Sequence, residues 1–272
     1  LKVNSQKNIG GTEMLTIGDG AGPAGLLVKT GPTTIGAPLR FAAGGEAVVY
    51  AGGSSYLSLA GAVEAGSGFT KFGSGSVRLS NNANAILGGV RVNEGILQIS
   101  AGNGLNASNT VTLRKQGTLE LEVDQVYEGL EGEGAVMLGN RTLTVSRRLA
   151  PGGAYHTMSV SESGALRLAS VCVAEFQLAA VGPDCTRPRL ALTSGAGNLW
   201  IEPGACIEIA RVVGGRTGFT NTFTLIEYAG TRTGSFAWLR LPLGMEGKLE
   251  YEPGRIKVEL RLVPRGGVFR LR

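Results

Sequence analysis

Residues 69–99 read FTKFGSGSVRLSNNANAILGGVRVNEGILQI, and this pattern decides the expected fold class. Val77 and Leu79 alternate with polar residues, which is the period of a half-buried β-strand. After an asparagine-rich turn a second alternating segment begins at Val90, and Gly95 introduces a third. Three strands in so short a stretch leave no room for a helix. The glycines and asparagines between them are the turn residues that a closely repeated β-structure requires.

The stretch resembles the passenger-associated repeat of bacterial autotransporters, which combines a lysine, spaced glycines, alternating apolar residues, an asparagine turn and a Gly-Gly pair. The residues on this pattern are Lys71, Gly73, Gly75, Val77, Leu79, Asn84, Gly88, Gly89, Val92, Gly95 and Leu97. A later segment resembles the C-terminal part of such passengers at Gly218, Phe223, Leu225, Ile226, Tyr228, Gly234 and Phe236. The resemblance implies a β-solenoid (β-helix) outside the cell or at a bacterial cell surface.

The predicted fold class is all-β, a single-stranded β-solenoid with a β-rich C-terminal segment or cap. Residues 1–149 are expected to form the solenoid repeats. From Ala150 onward the apolar segments follow a longer period, so residues 150–262 are expected to continue the solenoid or to cap it. The alternative is a solenoid followed by a β-sandwich. Residues 248–251 and 255–262 flank a Pro-Gly turn and predict a hairpin.

The composition agrees with a packed β-structure. Of 272 residues, 44 are glycine and 10 are proline, while 43% are hydrophobic and 17% charged, so the chain has material for a core and is not of the disordered class. The sequence contains no run of 18 apolar residues and no basic segment followed by an apolar one. We therefore expect neither a membrane span nor a signal peptide.

The formal net charge is +5, and part of it is concentrated at the end of the sequence. The cationic residues of the last 18 positions are Arg255, Lys257, Arg261, Arg265, Arg270 and Arg272. They alternate with apolar residues, so a solvated strand edge is the favoured interpretation, and residues 263–272 form a basic, β-competent tail. Contact with an acidic polysaccharide or the cell envelope is the alternative, and no nucleic acid partner is expected.

Isolated motifs predict no cofactor and no catalytic site. Residues 20–25 match the Gly-x-Gly-x-x-Gly dinucleotide motif, but glycine and proline follow where that motif needs a helix. His156 is the single histidine, and without a nucleophile motif a surface position is favoured. Trp200 and Trp238 are candidates for stacking on sugars, but Trp238 shares one strand face with Phe236, which favours a core or cap position for it.

Acidic residues form one candidate cluster. Glu120, Glu122 and Asp124 share a strand face. They could stack with Glu131 or Glu133 on a neighbouring turn and form a catalytic or calcium-binding site. A solvated strand face explains them more simply, so no metal site is predicted.

The three cysteines are Cys172, Cys185 and Cys206. The absence of a paired Cys-x-x-Cys spacing argues against zinc. One disulfide and one free thiol would suit an exported protein, and Cys185 and Cys206 are spaced so that they could stack on neighbouring turns. Three buried apolar thiols are the alternative.

The expected function is that of a non-enzymatic extracellular structural protein. The terminal turns of a solenoid expose unpaired strand edges. Leu1 and Val3 at one end, and Val268, Phe269 and Leu271 at the other, could add to the edge of another copy and give a head-to-tail surface fibre or layer. The alternative is a monomeric adhesin or stalk that binds a glycan or a host surface. A polysaccharide-acting enzyme is the third hypothesis.

Overall fold

Short β-strands make up the regular structure of the chain. The computed structural model describes residues 1–3, 7–19, 22–42, 46–180, 186–193, 197–214 and 220–263, and no helix occurs within these ranges. The first fourteen strands are β1 (Lys2–Val3), β2 (Lys7–Ile9), β3 (Leu15–Ile17), β4 (Ala24–Val28), β5 (Pro32–Ile35), β6 (Leu39–Phe41), β7 (Ala47–Ala51), β8 (Tyr56–Leu59), β9 (Val63–Ala65), β10 (Phe69–Phe72), β11 (Ser76–Leu79), β12 (Ala85–Ile86), β13 (Val90–Ile99) and β14 (Thr110–Leu121).

The remaining described strands are β15 (Gln125–Gly132), β16 (Ala135–Met137), β17 (Thr142–Pro151), β18 (Met158–Ser161), β19 (Ala165–Leu168), β20 (Val173–Ala179), β21 (Leu190–Thr193), β22 (Asn198–Ile201), β23 (Cys206–Val213), β24 (Thr220–Tyr228), β25 (Arg232–Thr233), β26 (Leu239–Arg240), β27 (Met245–Glu252) and β28 (Arg255–Leu262). The prediction of an all-β chain is confirmed.

The strands pair in three parallel ladders, which the chain visits in a fixed order. The first ladder is β1–β4–β7–β10–β13–β14–β15–β17–β20–β23–β26. The second is β2–β5–β8–β11–β13–β14–β16–β18–β21–β24. The third comprises β3–β6–β9–β12 and β15–β17–β19–β22–β25. One pass through the three ladders is called a round below.

Register partners stack apolar side chains in inward columns. One column of the first ladder contains Ala24, Ala47, Phe69, Val90, Val111, Leu130, Leu149, Ala174, Ile207 and Leu239. All of these except Leu239 are at most 2% exposed, and Leu239 packs against the same core. Successive side chains of a strand point to opposite faces, so a slip by one residue would turn the whole column outward. The apolar columns therefore determine the register.

Two predicted strands of residues 69–99 are one strand in the structure. β13 continues through Gly95, which has a φ of +71°, and pairs with β10 in its first half and β11 in its second. The chain thus passes from the first ladder to the second without leaving the β-sheet. β12, within the asparagine-rich segment, is a short strand that the sequence pattern did not indicate.

Buried asparagines join consecutive rounds where the third ladder is weak. Asn84 Oδ1 accepts the N–H of Val63 at 2.9 Å, and Asn84 Nδ2 donates to the carbonyl oxygen of Gly104 at 3.1 Å. Asn109 Nδ2 donates to the carbonyl oxygen of Ile86 at 3.1 Å, across the break between β12 and β15. Buried polar groups need hydrogen-bond partners. These side-chain amides supply such partners where the backbones of consecutive rounds do not pair.

Glycine is required at the corner between the first and second ladders. A Cβ atom on Gly132 would lie 2.0 Å from the carbonyl oxygen of Leu113, and the φ of Gly132 is +108°. A Cβ atom on Gly117 would lie 2.1 Å from the carbonyl oxygen of Val92. Consecutive rounds therefore approach each other more closely here than any side chain allows.

An antiparallel hairpin ends the second ladder. β27 pairs with β28, and β28 pairs with β24, both antiparallel. The predicted hairpin on either side of Pro253 and Gly254 is confirmed. Between Ala150 and the hairpin the described strands continue the parallel ladders. The described residues of this part do not form the two facing antiparallel sheets that the β-sandwich alternative requires.

Candidate functional site

The outer face of the first ladder carries a charged depression of about 300 Å³. Its lining consists of Thr112, Leu113, Arg114, Glu131, Gly132, Glu133, Arg148, Ala150, Gly152, Gly153, Glu175 and Gln177. A second, more open depression of about 810 Å³ shares Arg148 and Glu175 with the first and is lined in addition by Thr110, Glu128, Arg147, Val171, Val173 and Glu208. The two together are called the Arg148 groove.

Small residues in an outward column create the floor of this groove. Register places Glu131 beside Ala150, one round further along the first ladder, and Glu175 beside Glu208 on two later rounds. The methyl group of Ala150 leaves a gap between long side chains on either side of it. Gly152, two residues further along the chain, also lines the floor.

Arg148 lies at the centre and binds a carboxylate on each side. Its Nη1 donates to Glu131 Oε2 at 2.7 Å, and its Nε donates to Glu175 Oε2 at 2.9 Å. The hydrogen bond with Glu175, followed by that with Glu131, raises the pKa of Arg148. Half-exposed ion pairs contribute little to folding stability. Their main effect here is to hold two carboxylates of different rounds in fixed positions.

Further ion pairs lie at the rim. Arg147 Nε is 3.6 Å from Glu128 Oε1, and His156 Nδ1 is 3.6 Å from Glu133 Oε2. The side chain of His156 is 44% exposed, so the single histidine lies at the protein surface beside the groove.

Hydrogen-bond acceptors dominate the groove. Its carboxylates are Glu128, Glu131, Glu133, Glu175 and Glu208, and its guanidinium groups are those of Arg114, Arg147 and Arg148. Carboxylates offer paired acceptors and guanidinium groups offer paired donors. The side-chain amide of Gln177 supplies an acceptor oxygen and a donor NH2 group. The arrangement can bind neighbouring hydroxyl groups of a neutral ligand and disfavours a polyanion.

The predicted acidic cluster is not assembled as the sequence suggested. Glu120 lies on the second ladder, with Met137 as its register partner, whereas Glu131 lies on the first ladder beside Thr112. The prediction that Glu120 could stack with Glu131 is therefore wrong. The reason is that the chain turns a corner at Gly132, between the first and second ladders.

Glu120 and Glu122 instead belong to a polar network across several rounds of the second ladder. Arg78 binds Glu122, and its Nε donates to Ser100 Oγ at 2.8 Å. Gln98 Nε2 donates to Glu120 Oε1 at 3.1 Å. The pKa of Arg78 is raised, mainly by its hydrogen bond with Tyr56 and further by the Glu122 carboxylate. These carboxylates are engaged in cross-strand contacts.

Within the described ranges no three His, Cys, Asp or Glu side chains are grouped so that they could share a metal ion. No helix there has the length and apolarity needed to cross a membrane. Gly25, the last glycine of the dinucleotide-like motif, lies inside strand β4, so a strand stands where that motif needs a helix.

The two tryptophans lie on different ladders. Trp200 belongs to the third ladder, between Arg167 and Thr233, and is 41% exposed. Trp238 directly precedes β26 of the first ladder and is 55% exposed. The two indoles therefore do not form one binding platform.

Of the predicted assembly residues, two can be located. The α-ammonium group of Leu1 donates to the carbonyl oxygen of Gly25 at 2.8 Å, and Val3 is 7% exposed in strand β1. This segment is therefore paired with β4 of its own chain on one side. Val268, Phe269 and Leu271 lie outside the described residues.

Lys71 is a buried lysine in the wall of the first ladder. It occupies an inward position between Val49 and Val92, and its exposed fraction is 0%. Its ammonium group donates to the carbonyl oxygen of Glu94 at 2.8 Å and to that of Gly73. Burial lowers the pKa of Lys71 to about 8, and the Glu94 carboxylate opposes that effect. Lys71 thereby ties the corner of its own round to the next round.

Sequence reasoning did not find the centre of the groove. Arg148 and Glu175 stand in segments with ordinary strand patterns, and neither belongs to a motif. Glu131 was noted only as a possible neighbour of Glu120. The signal that could have found them is the register between rounds, which is not visible in any single segment.

Comparisons with known proteins returned no matching family model, no similar curated protein and no similar solved structure. The resemblance to autotransporter passengers therefore stays a prediction.

Proposed function

We propose that the chain is a β-solenoid, in which the backbone winds around one apolar interior. The fixed order of the three ladders supports this proposal, because successive rounds add their strands to the ladders in that same order, with one interruption of the third ladder between β12 and β15. The inward columns support it as well, since they belong to a single hydrophobic cluster that reaches from Val3 to Leu260.

Its proposed role is that of a non-enzymatic structural stalk outside the cell or on a bacterial surface. The observation that carries this proposal is the unbroken first ladder from β1 to β26, which comprises eleven strand segments within the described residues. Ten steps of about 4.8 Å separate its ends by about 48 Å. Such an element holds its two ends at a constant distance. The extracellular location rests on the resemblance to autotransporter passengers.

The first end of the ladders favours a single stalk over a head-to-tail fibre. Lys7 of β2 belongs to an inward column, with Thr33 and then Leu57 as its partners. Lys7 is exposed because no described strand covers β2 on its other side. A second copy that added a strand there would bury the ammonium group, and an inward-pointing charge on an edge strand opposes that addition.

The last strand of the second ladder is also protected against pairing with a second copy. β27 is the outermost described strand of the second ladder and pairs only with β28. Its outer side chains alternate as Glu246, Lys248, Glu250 and Glu252. Charged edge strands of this kind disfavour pairing with another chain. The head-to-tail fibre expected from the sequence is therefore the competing proposal.

The wild-type chain is expected to sediment as one species of 28.1 kDa from micromolar to submillimolar concentrations. The substitution Lys7→Ile removes the inward charge and continues the apolar column to the edge. This variant is expected to associate as its concentration rises. Sedimentation velocity measures both outcomes.

The matched control is Lys115→Ile, which adds the same apolar side chain at an exposed position away from the ladder ends. It is expected to remain monomeric. Polymers of the wild-type chain, lengthening with concentration in electron micrographs, would contradict the single stalk and favour the fibre.

A second candidate function is recognition of a neutral glycan, and the Arg148 groove is the observation that favours it. The groove presents fixed carboxylate acceptors and guanidinium donors side by side, and such pairs match neighbouring sugar hydroxyl groups. A stalk carrying this groove would act as an adhesin. The excess of carboxylates favours a neutral glycan over an acidic polysaccharide.

In that case Arg148→Ala should weaken binding of the best ligand from a glycan array by roughly 10- to 100-fold, because it removes a charged donor and releases Glu131 and Glu175. Arg167→Ala is the matched control, since Arg167 is paired with Glu202 and is equally exposed, but on the third ladder. Calorimetric titration with the selected oligosaccharide measures the two affinities. An equal loss in both variants, or no saturable ligand, would count against the groove.

A further inference from the structure

An outward column of side chains leads from the Arg148 groove to the last strand of the first ladder. Val173 is the register partner of Arg148, and Cys206 is the register partner of Val173. Trp238 lies beside Cys206 one strand further on, where its carbonyl oxygen accepts the N–H of Ile207 at 3.1 Å. The column therefore begins in the groove at Arg148 and ends at an indole.

Trp238 points away from the core and is 55% exposed. Successive side chains of an extended segment point to opposite faces, and its neighbour Leu239 packs against the core. Arg240, on the other side of Leu239, also points outward, and its Nη1 donates to Glu208 Oε2 at 3.0 Å. Glu208 is part of the groove lining. The indole thus stands next to a guanidinium–carboxylate pair that borders the groove.

The surface between the groove and Trp238 is apolar. Val171 and Val173 flank Cys172, which is buried, so both valines lie on the outer face. Both also line the second depression of the groove. Cys206 shares this outer face, but it is a small residue between larger neighbours and is only 3% exposed. A ligand that leaves the groove in this direction passes over apolar side chains before it reaches the indole.

We propose that Trp238 extends the Arg148 groove into a site for a linear, neutral, β-1,4-linked glycan. This inference rests on the glycan recognition proposed above for the groove. Three strand spacings of about 4.8 Å separate Arg148 from Trp238, which is about 14 Å in all. A single sugar ring does not span this distance, so the ligand is an oligosaccharide that runs along the column.

The two kinds of surface in this site match the two kinds of surface of a sugar. A pyranose whose hydroxyl groups are all equatorial presents C–H groups on its faces, and these pack flat against an aromatic ring such as that of Trp238. The hydroxyl groups project from the edge of the sugar, where Glu208 and Arg240 offer acceptors and donors. β-1,4-linked glucose and xylose have this geometry and form extended chains, as a straight column requires.

The test is calorimetric titration of the wild-type chain with cellohexaose and with xylohexaose. At least one of them should bind saturably, and more tightly than the corresponding disaccharide, which is too short to contact Arg148 and Trp238 together. Trp238→Ala should weaken binding of the hexasaccharide by roughly 10- to 100-fold. Trp238→Phe retains an aromatic face and should lose less. Trp200→Ala is the matched control, because Trp200 is exposed on the third ladder, and it should keep the wild-type affinity.

Tryptophan fluorescence gives a second measurement, because the chain has two tryptophans. In Trp200→Phe the remaining indole is Trp238, and the bound hexasaccharide should shift its emission to shorter wavelength. Failure of both hexasaccharides to bind, or equal affinities of the wild-type chain and Trp238→Ala, would overturn the proposal. A glycan whose binding is weakened by Arg148→Ala but not by Trp238→Ala would overturn this extension alone and leave recognition by the groove in place.

Discussion

Removal of residues 70–90 is expected to leave a folded protein that is shorter by one complete round. Phe69 and Val90 are register partners. After the deletion Phe69 takes the place of Val90 in the strand and is followed directly by Arg91. The inward neighbours that then meet are Val49 and Val92, both buried and apolar. Lys71 leaves together with its round.

The physical reason is that backbone pairing joins each round only to the rounds before and after it, and only a few exposed polar side chains reach one round further. In such repeat structures stability is close to a sum of single repeats and nearest-neighbour contacts. We expect a far-ultraviolet circular dichroism signal per residue like that of the full chain, and one cooperative melting transition within about 5 °C of the wild-type value.

The matched control removes about half a round, residues 70–80. This deletion joins the first ladder directly to the third and leaves Leu57 and Leu97 of the second ladder about two strand spacings, or about 9.6 Å, apart. The product is expected to lack the cooperative transition or to aggregate. If the full-round deletion is as damaging as the half-round deletion, the chain does not behave as a solenoid.

The second large effect is a rise in stability with pH that Lys71 causes. Burial lowers the pKa of Lys71 from 10.5 to about 8, so between these values the unfolded chain holds a proton that the folded chain has released. Stability increases with pH wherever the unfolded state binds more protons. The free energy of unfolding should therefore rise between pH 8 and pH 10.5, by up to about 3 kcal/mol from this group.

The substitution Lys71→Met should remove this increase. Methionine retains the length and apolar stem of lysine, but it leaves the carbonyl oxygens of Phe72, Gly73 and Glu94 without their donor. At neutral pH the loss of these hydrogen bonds is partly offset, because the buried charge disappears too. We expect a net destabilisation of about 1–3 kcal/mol.

Urea unfolding at several pH values measures both quantities. Lys115→Met is the control, because that side chain is exposed, and it should keep the wild-type pH dependence. A wild-type stability that is flat or falls from pH 8 to pH 10.5, relative to Lys71→Met, would show that the lysine is not buried as described.

Much of the local structure could be predicted from the sequence. The alternation around Val77 and Leu79 correctly indicated strand β11, and the Pro-Gly turn correctly indicated the hairpin of β27 and β28. The break expected at Gly95 did not occur, because a glycine with positive φ can continue a strand around a corner of this fold. Gly95 does adopt the positive φ that is typical of a turn glycine, but pairing with strands of the neighbouring rounds keeps the chain in the sheet there.

The resembling motif contained Lys71 and Asn84, but the pattern did not reveal what these residues do. A lysine between alternating residues is usually solvated, and an asparagine in a turn usually faces water. Here both are buried and bind backbone atoms of neighbouring rounds. Their partners are about one round away along the chain, where no local rule reaches.

The sequence by itself determined that the chain is a succession of short strands and tight turns, because side-chain alternation and turn preferences are properties of neighbouring residues. Only the tertiary structure decided which strands share a ladder. The register spacing between rounds is uneven: Thr110 pairs with Gly129, whereas Val173 pairs with the more distant Cys206. The Arg148 groove depends on that spacing, since stacking of whole rounds brings together side chains that no sequence period aligns.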